Sequence, residues 1–286
     1  MSTIMRGKTC LVTGGTSGIG KEIAAGLAVM GCSVVLVGRD TTRCENVARE
    51  IARRVEKQDP SISFLVADLA SQSSIRTLAQ EFRAKYQQLD ILVNNAGVFK
   101  ARRETTKDEI EYTFAVNHLA PFLLTNLLLD TLRASGNARI VTTSSIGHRG
   151  AKINFDDLQF ERKRYSGIKA YGQSKLANIL FTSELARRVE GSGITANCFH
   201  PGGVRTNLAQ GNPWYYRLIW YIVTPFLISA EKGADTGIYL ASSPEVQSVS
   251  GRYFVKRKVA VPSSEARNRE TALRLWDVSK GLTGIE

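Results

Sequence analysis

Short, almost continuously apolar runs alternate with longer amphipathic stretches along this sequence, and this alternation restricts the fold more than any other feature. The apolar runs have the length of strands, and they lie at 8–13, 33–38, 63–67, 90–94, 138–143, 195–200 and 252–255. The amphipathic stretches have helical spacing, and they lie near 18–30, 41–57, 71–87, 108–134, 170–190 and 231–242. Strands that are apolar on both faces are typical of parallel sheets covered by helices on both sides. The repeated β-α order therefore predicts an α/β fold, a Rossmann-type doubly wound parallel sheet flanked by helices.

The length of the chain and its even composition predict one domain. A chain of 286 residues with 43% hydrophobic residues can bury a large core, and single α/β domains often reach this length. The sequence contains no linker, internal repeat or low-complexity segment. We therefore expect residues 1–286 to form a single domain.

The charge and the cysteines argue against two classes of function. The net charge is +12, but the basic residues are spread along the chain, which favours a solvated basic surface over nucleic-acid binding. Cysteines stand at positions 10, 32, 44 and 198, and no two are spaced as metal ligands or as a CxxC pair. The sequence therefore predicts neither a metal site nor a nucleic-acid partner.

The hydropathy of the chain predicts a cytoplasmic protein without a transmembrane segment. The first residues lack the apolar run of a signal peptide, and the cysteine pattern favours a reducing compartment. The most apolar stretch, at 214–230, is interrupted by Arg217 and Pro225. Its aromatic part, 214–221, is interpreted as a substrate lid, a dimer contact or a peripheral contact with a membrane surface.

A glycine-rich segment, TGGTSGIGKE at 13–22, follows the first predicted strand. Gly14, Gly18 and Gly20 form a G-x-x-x-G-x-G pattern between a strand and a helix. Glycine allows a tight turn and a close approach of backbone N–H groups to a pyrophosphate, and the helix N-terminus adds a positive dipole. In this context the pattern predicts a dinucleotide-binding loop, with a plain tight turn as the alternative.

The end of the second strand bears on which dinucleotide is bound. A carboxylate usually stands here and binds the adenosine ribose, but Gly38 occupies the expected position and Arg39 follows it. A guanidinium beside a missing carboxylate suits a 2′-phosphate, so the sequence favours NADP(H) over NAD(H). Asp40 is interpreted either as the missing carboxylate or as a helix N-cap.

Polar residues follow the next two strands as well. Asp68 comes after the third strand, where it could meet the adenine, and Asn95–Gly97 follows the fourth, where small residues allow close cofactor approach. The alternatives are a helix N-cap for Asp68 and a simple turn for Asn95–Gly97.

The helical segment KAYGQSKLAN at 169–178 places Tyr171 and Lys175 one turn apart on the same face. The ordinary tyrosine pKa of about 10 is too high for efficient acid–base catalysis at neutral pH. A nearby lysine, together with a positive nicotinamide ring, would favour the phenolate. Ser144 and Ser145 end the fifth strand, reach the same sheet edge and could polarise a carbonyl group. Asn117 could kink its helix and support a water that leads protons from Lys175.

These motifs occur together in one family. The chain resembles the short-chain dehydrogenases/reductases along nearly its whole length. The resemblance rests on TGxxxGxG at 13–20, NNAG at 94–97, the helix asparagine at 117, the serines at 144–145, YxxxK at 171–175 and HPGGVRT at 200–206. It implies that Ser145 polarises the carbonyl, with Ser144 as its rival, and that Tyr171 is the general acid/base. It also implies that Lys175 anchors the ribose and tunes the tyrosine pKa, and that Asn117 holds a water.

The resemblance also implies a set of cofactor contacts and a division of the domain. The expected contacts are Gly14, Thr16, Ser17, Gly18, Ile19, Gly20, Arg39, Asp68, Leu69, Asn95, Ala96, Gly97, Tyr171, Lys175, Pro201, Gly202, Val204 and Thr206. The cofactor half is expected at about 1–150 and the catalytic and substrate half at about 138–286, with the lid at about 206–230.

Three further segments, TSSIGHR, INFDDLQFE and LANILFTSELARR, resemble the retinol-dehydrogenase-like branch, which generally prefers NADP(H). Many members of this branch carry an N-terminal membrane anchor, which we do not expect in this protein, and the family commonly forms homo-oligomers. The implied function is an NADP(H)-dependent oxidoreductase that interconverts an alcohol and an aldehyde or ketone on a bulky apolar substrate. The alternatives are a non-catalytic NADP(H) sensor and a C=C reductase related to protochlorophyllide reductase.

Two histidines invite catalytic roles that we do not assign. His118 is adjacent to Asn117, but neighbouring helical side chains point about 100° apart, so packing or a surface position is expected. His148 follows the serine strand end, and its two interpretations are a substrate contact and an ordinary loop residue.

Overall fold

A computed structural model describes residues 5–55, 61–204 and 227–285 of the chain. Within these ranges eight strands form one sheet, in the order β3-β2-β1-β4-β5-β6-β7-β8. Their bounds are β1 (Thr9–Thr13), β2 (Ser33–Gly38), β3 (Ile62–Val66), β4 (Ile91–Asn94), β5 (Ala138–Thr143), β6 (Ile194–His200), β7 (Tyr253–Val255) and β8 (Lys258–Val259). The first seven strands are parallel, and β8 pairs antiparallel with β7.

Helices connect the parallel strands, as the sequence predicted. They are α1 (Gly18–Val29), α2 (Thr41–Arg54), α3 (Gln72–Lys85), α4 (Tyr112–Phe114), α5 (Ala120–Leu127), α6 (Leu129–Arg133), α7 (Gly167–Arg188), α8 (Ala230–Ser242) and α9 (Arg269–Thr283). A π-helical segment, Ala115–Leu119, joins α4 to α5, and a 3₁₀ turn, Ile146–His148, follows β5. The doubly wound α/β fold is confirmed.

Each face of the sheet has its own hydrophobic core. On β1, Leu11 points into one core, while Cys10 and Val12 point into the other, which explains why the strand is apolar throughout. The first core contains residues of α3, α5 and α7, and the second contains residues of α1, α2 and α8. The sheet is therefore covered on both sides by helices.

The strand order reverses between β1 and β4, because β1 pairs with β2 on one side and with β4 on the other. In open parallel sheets this reversal leaves a crevice at the carboxyl ends of the strands. The glycine-rich segment follows β1, and the Asn95–Gly97 turn follows β4, so both predicted motifs lie at this crevice.

The structure corrects the predicted elements in two places. The helix expected at 108–134 begins only at Tyr112, because residues 104–111 form a turn in which Thr105 bridges to Glu111 and Glu109 has a φ of 60°. Helix α9 was not predicted, because its amphipathic pattern follows a segment without a clear strand signal. It packs against α7. Across the part of the chain that the structure describes, no helix has the length and apolar character that a membrane crossing requires.

Candidate active site

A cleft of about 630 Å³ lies at the carboxyl ends of the strands, and most of the predicted site residues line it. Those that line it are Gly14, Thr16, Ser17, Gly18, Ile19, Arg39, Asp68, Leu69, Asn95, Ala96, Gly97, Ser145, Tyr171, Lys175, Pro201, Gly202 and Val204. Gly20 and Asn117 are buried behind the cleft wall. Thr206 and the aromatic segment 214–221 lie outside the described residues, so the predictions about them stay predictions.

The glycine-rich loop brings the chain close to β4 and leaves the start of α1 without a side-chain cap. Gly14 has a φ of +64°, and a Cβ there would lie 3.0 Å from the Ala96 Cα. A Cβ at Gly20 would collide with the Gly14 carbonyl oxygen. The N-cap residue Ser17 makes no side-chain hydrogen bond to the helix, and the first turn of α1 contains no acidic residue. The N–H groups at this helix end are therefore suited to an anionic ligand.

Asp40 lines the cleft and acts as a helix N-cap, which agrees with one of its two interpretations. Its carboxylate accepts a hydrogen bond of 2.7 Å from the Arg43 backbone N–H, and it is the N-cap of α2. Close packing explains the glycine at position 38, because a Cβ there would lie 2.7 Å from both Cys44 Sγ and Thr16 Cγ2. A carboxylate at position 38 is thus excluded by the packing of α2 against the glycine loop.

Two arginines line the cleft beside this cap. Arg39 donates from Nη1 to the Tyr112 hydroxyl at 3.4 Å, and Arg43 donates from Nε to the Thr16 carbonyl at 3.3 Å. The sequence analysis identified Arg39 but missed Arg43. The available signal was that Arg43 lies in the first turn of α2, directly after the strand end that carries Arg39.

The polar residues after β3 and β4 differ in what they contact. The exposed Asp68 accepts from the Ala70 N–H, whereas Ser71 is the N-cap of α3, so the capping alternative for Asp68 is wrong. Asn95 donates from its backbone N–H to the Thr13 hydroxyl and from Nδ2 to the Thr13 carbonyl, which pins the NNAG turn to β1. This turn therefore forms a rigid floor for the cleft.

The two serines after β5 have different surroundings. Ser144 is buried, and its hydroxyl donates to the Lys175 carbonyl at 2.8 Å. Ser145 is partly exposed, and its Oγ accepts from the Gly147 N–H at 3.1 Å. The Ser145 hydroxyl lies in the cleft beside Tyr171, to which it hydrogen-bonds, while that of Ser144 is engaged inside the protein. The geometry thus favours Ser145 over Ser144 as the donor toward a carbonyl.

Tyr171 and Lys175 lie one turn apart on α7, with the Lys175 Nζ 5.6 Å from the centre of the Tyr171 ring. Burial raises the pKa of Tyr171 to about 12, and a hydrogen bond from Ser145 opposes this increase. Burial also lowers the pKa of Lys175 to about 8. The pKa of Tyr171 therefore stays above the neutral range, because its burial outweighs the hydrogen bond from Ser145.

Asn117 lies in the π-helical segment and holds the chain after the NNAG turn. Its Oδ1 accepts from the Val98 N–H at 2.7 Å, and its Nδ2 donates to the Val98 carbonyl and to Ser174 Oγ, both at 3.0 Å. Pro121 supplies no N–H to the Asn117 carbonyl, which explains why the regular helix is interrupted here. The predicted distortion of this helix is observed, and Pro121 is its cause.

The three histidines occupy positions that the sequence only partly indicated. His118 is fully buried, as a packing role requires, and its Nε2 lies 2.9 Å from Ser279 Oγ on α9. His148 is also fully buried and contacts Ser145, so it is not an ordinary loop residue. His200, which ends β6, lines the cleft; the sequence analysis included it in the HPGGVRT motif but assigned it no role.

Comparisons with known proteins agree with this geometry. A profile described as short chain dehydrogenase matches residues 8–213. The chain is 44% identical to retinol dehydrogenase 12 of Mus musculus, over 98% of this chain and 87% of that protein. It is 43% identical to retinol dehydrogenase 13 of Homo sapiens, over 98% of this chain and 86% of that protein.

Solved structures show the same fold. An uncharacterised protein from Mycobacterium Paratuberculosis superposes with a TM-score of 0.80 at 33% identity, covering 100% of this chain and 98% of that one. A short chain dehydrogenase from Burkholderia cenocepacia J2315, solved in complex with NADP, superposes with a TM-score of 0.69 at 29% identity, covering 87% and 96% of the two chains.

Proposed function

The chain belongs to the short-chain dehydrogenase family, in its retinol-dehydrogenase-like branch, and from that premise we propose that it is an NADP(H)-dependent oxidoreductase. It interconverts an alcohol and the corresponding aldehyde or ketone. The observation that carries this proposal is that Ser145, Tyr171 and Lys175 line the same cleft as the glycine-rich loop. A dinucleotide bound at the loop and a carbonyl group beside Tyr171 would therefore lie in the same cleft.

The substrate is bulky and apolar. Phe99 packs edge-on against Tyr171 with 6.1 Å between ring centres, and Ile146 and Ile168 stand in the cleft wall with side chains 51% and 71% exposed. Exposed large apolar side chains beside a polar reactive group are typical of a site that binds an apolar ligand. The names of the retinol dehydrogenase relatives support the same class of substrate.

In carbonyl reduction, the residues of the chain orient the carbonyl and supply one proton. The Ser145 hydroxyl donates a hydrogen bond to the carbonyl oxygen and increases the positive charge on the carbonyl carbon. The cleft and the glycine-rich loop would hold NADPH, which would supply hydride chemistry at that carbon. Tyr171 transfers its phenolic proton to the oxygen, and the charge of Lys175 stabilises the phenolate that remains. Lys175, whose Nζ donates to the Thr143 carbonyl at 3.2 Å, would also hold the ribose hydroxyls of the cofactor.

The residues present fit NADP(H) in particular. The uncapped start of α1 suits the pyrophosphate, and Arg39 and Arg43 provide two guanidinium groups on the side of the cleft where the 2′-phosphate would lie. Position 38 offers no carboxylate that would hold the ribose diol of NAD(H) or repel the phosphate. The NADP-bound relative supports this choice.

Replacing Tyr171 with phenylalanine tests the reaction. Removal of a general acid typically costs 10²- to 10⁴-fold in rate, so we expect Y171F to lose about that much kcat in NADPH-dependent reduction of aldehydes and ketones. The Kd for NADPH should stay near the wild-type value. Y239F makes the same chemical change on α8, away from the cleft, and should behave as wild type.

The same assay distinguishes the alternatives. Near-normal kcat in Y171F would contradict the mechanism. A wild-type protein that binds NADPH tightly but reduces no compound in a broad carbonyl panel would be a sensor, and light-dependent reduction of a tetrapyrrole would identify a C=C reductase.

Replacing Arg39 and Arg43 with alanine tests the cofactor preference. Hydrogen bonds to charged groups contribute about 1.5–3 kcal/mol each, so each arginine should account for roughly 10- to 150-fold in NADPH affinity. The expected result is a large increase in KM for NADPH in R39A/R43A, with little change for NADH. R49A, on the same helix but paired with Glu45 in solvent, is the matched control. A wild type that prefers NADH would show that the cofactor is misassigned.

A further inference from the structure

Two histidines contact opposite ends of a single peptide group, the one that joins Ser145 to Ile146. The carbonyl oxygen of this peptide, on Ser145, lies 2.7 Å from His148 Nδ1. Its N–H, on Ile146, donates to His200 Nδ1 at 3.3 Å. Ser145 is thus held through its own backbone by side chains from two different parts of the fold.

The hydrogen bonds determine the tautomer of each ring. A carbonyl oxygen can only accept, so His148 Nδ1 carries a proton, and His148 Nε2 is an acceptor because the Ser263 N–H donates to it at 3.2 Å. His200 Nδ1 accepts from the N–H groups of Ile146 and Gly202, at 3.3 and 3.4 Å, and so carries no proton. The two neutral rings therefore have opposite tautomers.

We propose that His148 and His200 are positioning residues that together clamp the Ser145–Ile146 peptide and thereby hold the Ser145 hydroxyl in its reactive orientation. This inference rests on the proposed function, in which Ser145 polarises the carbonyl. In this role neither histidine contacts the reacting atoms. The clamp connects the serine to the end of β6 through His200 and to the C-terminal segment at Ser263 through His148.

The clamp works only while both rings are neutral. A protonated His148 loses its acceptor for Ser263, and a protonated His200 loses its acceptor for Ile146 and Gly202. Burial lowers the pKa of both histidines. For His148 the hydrogen bond to the Ser145 carbonyl opposes this decrease and the charge of Arg149 adds to it, while for His200 protonation of the neighbouring His148 would lower the pKa further. The clamp is therefore intact at neutral pH and opens as the pH falls below the ordinary histidine pKa of about 6.5.

Other titratable groups lie near the pair among the residues that the structure describes. Tyr253 on β7 packs edge-on against His148 with 5.1 Å between ring centres, and the burial of its hydroxyl raises the pKa of Tyr253 to about 12. Helix α7, which packs against the turn, carries Tyr171 and Lys175 in the cleft, β6 carries Cys198, and Arg149 follows the turn. The tyrosines and the cysteine are neutral below pH 7, because burial also raises the pKa of Tyr171 and of Cys198 to about 12. They do not compete with the histidines in this range.

The first experiment measures the clamp without using activity. The chain contains three histidines, so nitrogen-15 labelling of histidine followed by NMR resolves each ring. We expect His148 protonated at Nδ1 and His200 protonated at Nε2 at pH 7.5, and slow hydrogen exchange at the Ile146 amide that accelerates below pH 6. The reverse tautomer at either ring, or fast exchange of this amide at pH 7.5, would overturn the proposal even in a protein that reduces no carbonyl.

The second experiment asks whether the clamp affects the reaction. H148L and H200L remove the contacts, whereas H148N and H200N retain an amide N–H or carbonyl oxygen close to the position of Nδ1. Because small misplacements of a reacting group cost on the order of 10- to 100-fold, we expect such a loss of kcat in each leucine variant, with NADPH Kd unchanged. The asparagine variants should recover most of the rate.

Two further readouts separate positioning from general stability. The double variant H148L/H200L should be little worse than either single variant, because both side chains hold the same peptide. The acid limb of kcat should disappear in H148N/H200N but persist in H118Q, which removes the histidine that does not contact Ser145. The proposal would be overturned if the leucine variants kept the wild-type kcat and an unchanged acid limb. It would also be overturned if the losses of kcat in the two single variants multiplied in the double variant and the affinity for NADPH fell as well.

Discussion

At the scale of single residues, the surroundings of each side chain decide its chemistry more than its type does. Ser144 and Ser145 are adjacent and chemically identical, yet one hydroxyl is used inside the protein and the other faces the cleft. The pKa values of Tyr171 and Lys175 move in opposite directions for one reason, since burial disfavours both charged forms. Neither difference can be recognised from the local sequence.

The two serines give a direct prediction. S145A removes the donor toward the substrate carbonyl, and loss of one such donor typically costs about 10²- to 10³-fold in kcat. S144A should retain most of the rate and instead lose about 1 kcal/mol of unfolding free energy, because its hydrogen bond to the Lys175 carbonyl is buried. Steady-state kinetics and urea denaturation of both variants provide the comparison. Equal kinetic losses in the two would show that the assignment of Ser145 is wrong.

The pKa of Lys175 predicts an alkaline limb for carbonyl reduction. Tyr171, with a pKa of about 12, keeps its proton throughout the neutral range, so its own titration does not limit proton donation. Lys175, with a pKa of about 8, loses its charge above that pH and can no longer stabilise the phenolate. We expect kcat for reduction to fall above about pH 8 in the wild type. In K175R the guanidinium stays protonated, so the decrease in kcat should occur at a higher pH. If the decrease occurs at the same pH as in the wild type, another group is responsible for it.

At the scale of the elements, the start of the helix that carries Asn117 depends on a buried carboxylate. Glu111 is fully buried and accepts hydrogen bonds from the N–H groups of Thr113 and Phe114, at 2.9 and 2.7 Å. Glu111 also accepts a hydrogen bond from the Tyr165 hydroxyl at 3.0 Å. Burial of Tyr165, together with the negative charge of Glu111, raises the pKa of Tyr165 above its ordinary value. A single side chain therefore caps α4 and ties it to the loop that precedes α7.

Truncating this carboxylate should cost substantial stability. E111A leaves two buried N–H groups without their acceptor and removes one of the two acceptors of the Tyr165 hydroxyl, so we expect a loss of about 2–3 kcal/mol in the free energy of unfolding. E111Q keeps an oxygen acceptor and should lose less. E81A, an exposed glutamate on α3, should stay within about 0.5 kcal/mol of the wild type. Urea unfolding at pH 7.5 tests this, and equal stability of E111A and E81A would contradict it.

At the scale of the whole molecule, α9 closes the core on the side of the sheet that carries α7. Trp276 packs edge-on against Phe122 and stacks on Phe181, with ring centres 4.9 and 5.9 Å apart. His118 joins this cluster and contacts Ser279 of α9 at 2.9 Å. The C-terminal helix is thus attached to the π-helical segment, which also carries Asn117. Homo-oligomer formation and contact with a membrane surface stay predictions at this scale.

His118 predicts how stability depends on pH. Its burial lowers the pKa to about 3, while in the unfolded chain the value returns to about 6.5. Between these values the unfolded chain binds one more proton, so stability falls as the pH falls, by up to about 1.4 kcal/mol per pH unit. In H118Q this contribution is absent. The difference in unfolding free energy between wild type and H118Q should shrink from pH 6.5 to pH 4.5, and parallel curves would show that His118 is protonated in the native state.

The sequence by itself determined the doubly wound fold, the glycine-rich loop and the pairing of Tyr171 with Lys175. These features depend on apolar periodicity, on backbone conformations open to glycine and on the spacing of residues along one helix, all of which are local. Only the tertiary structure decided between Ser144 and Ser145, made Asp40 a cap and brought Arg43 to the cleft. It also placed α9 against α7 and brought His148 and His200 into contact with the Ser145–Ile146 peptide. These outcomes depend on which distant side chains meet and on how deeply they are buried, because a hydrogen bond or a pKa shift is a property of a contact rather than of a residue.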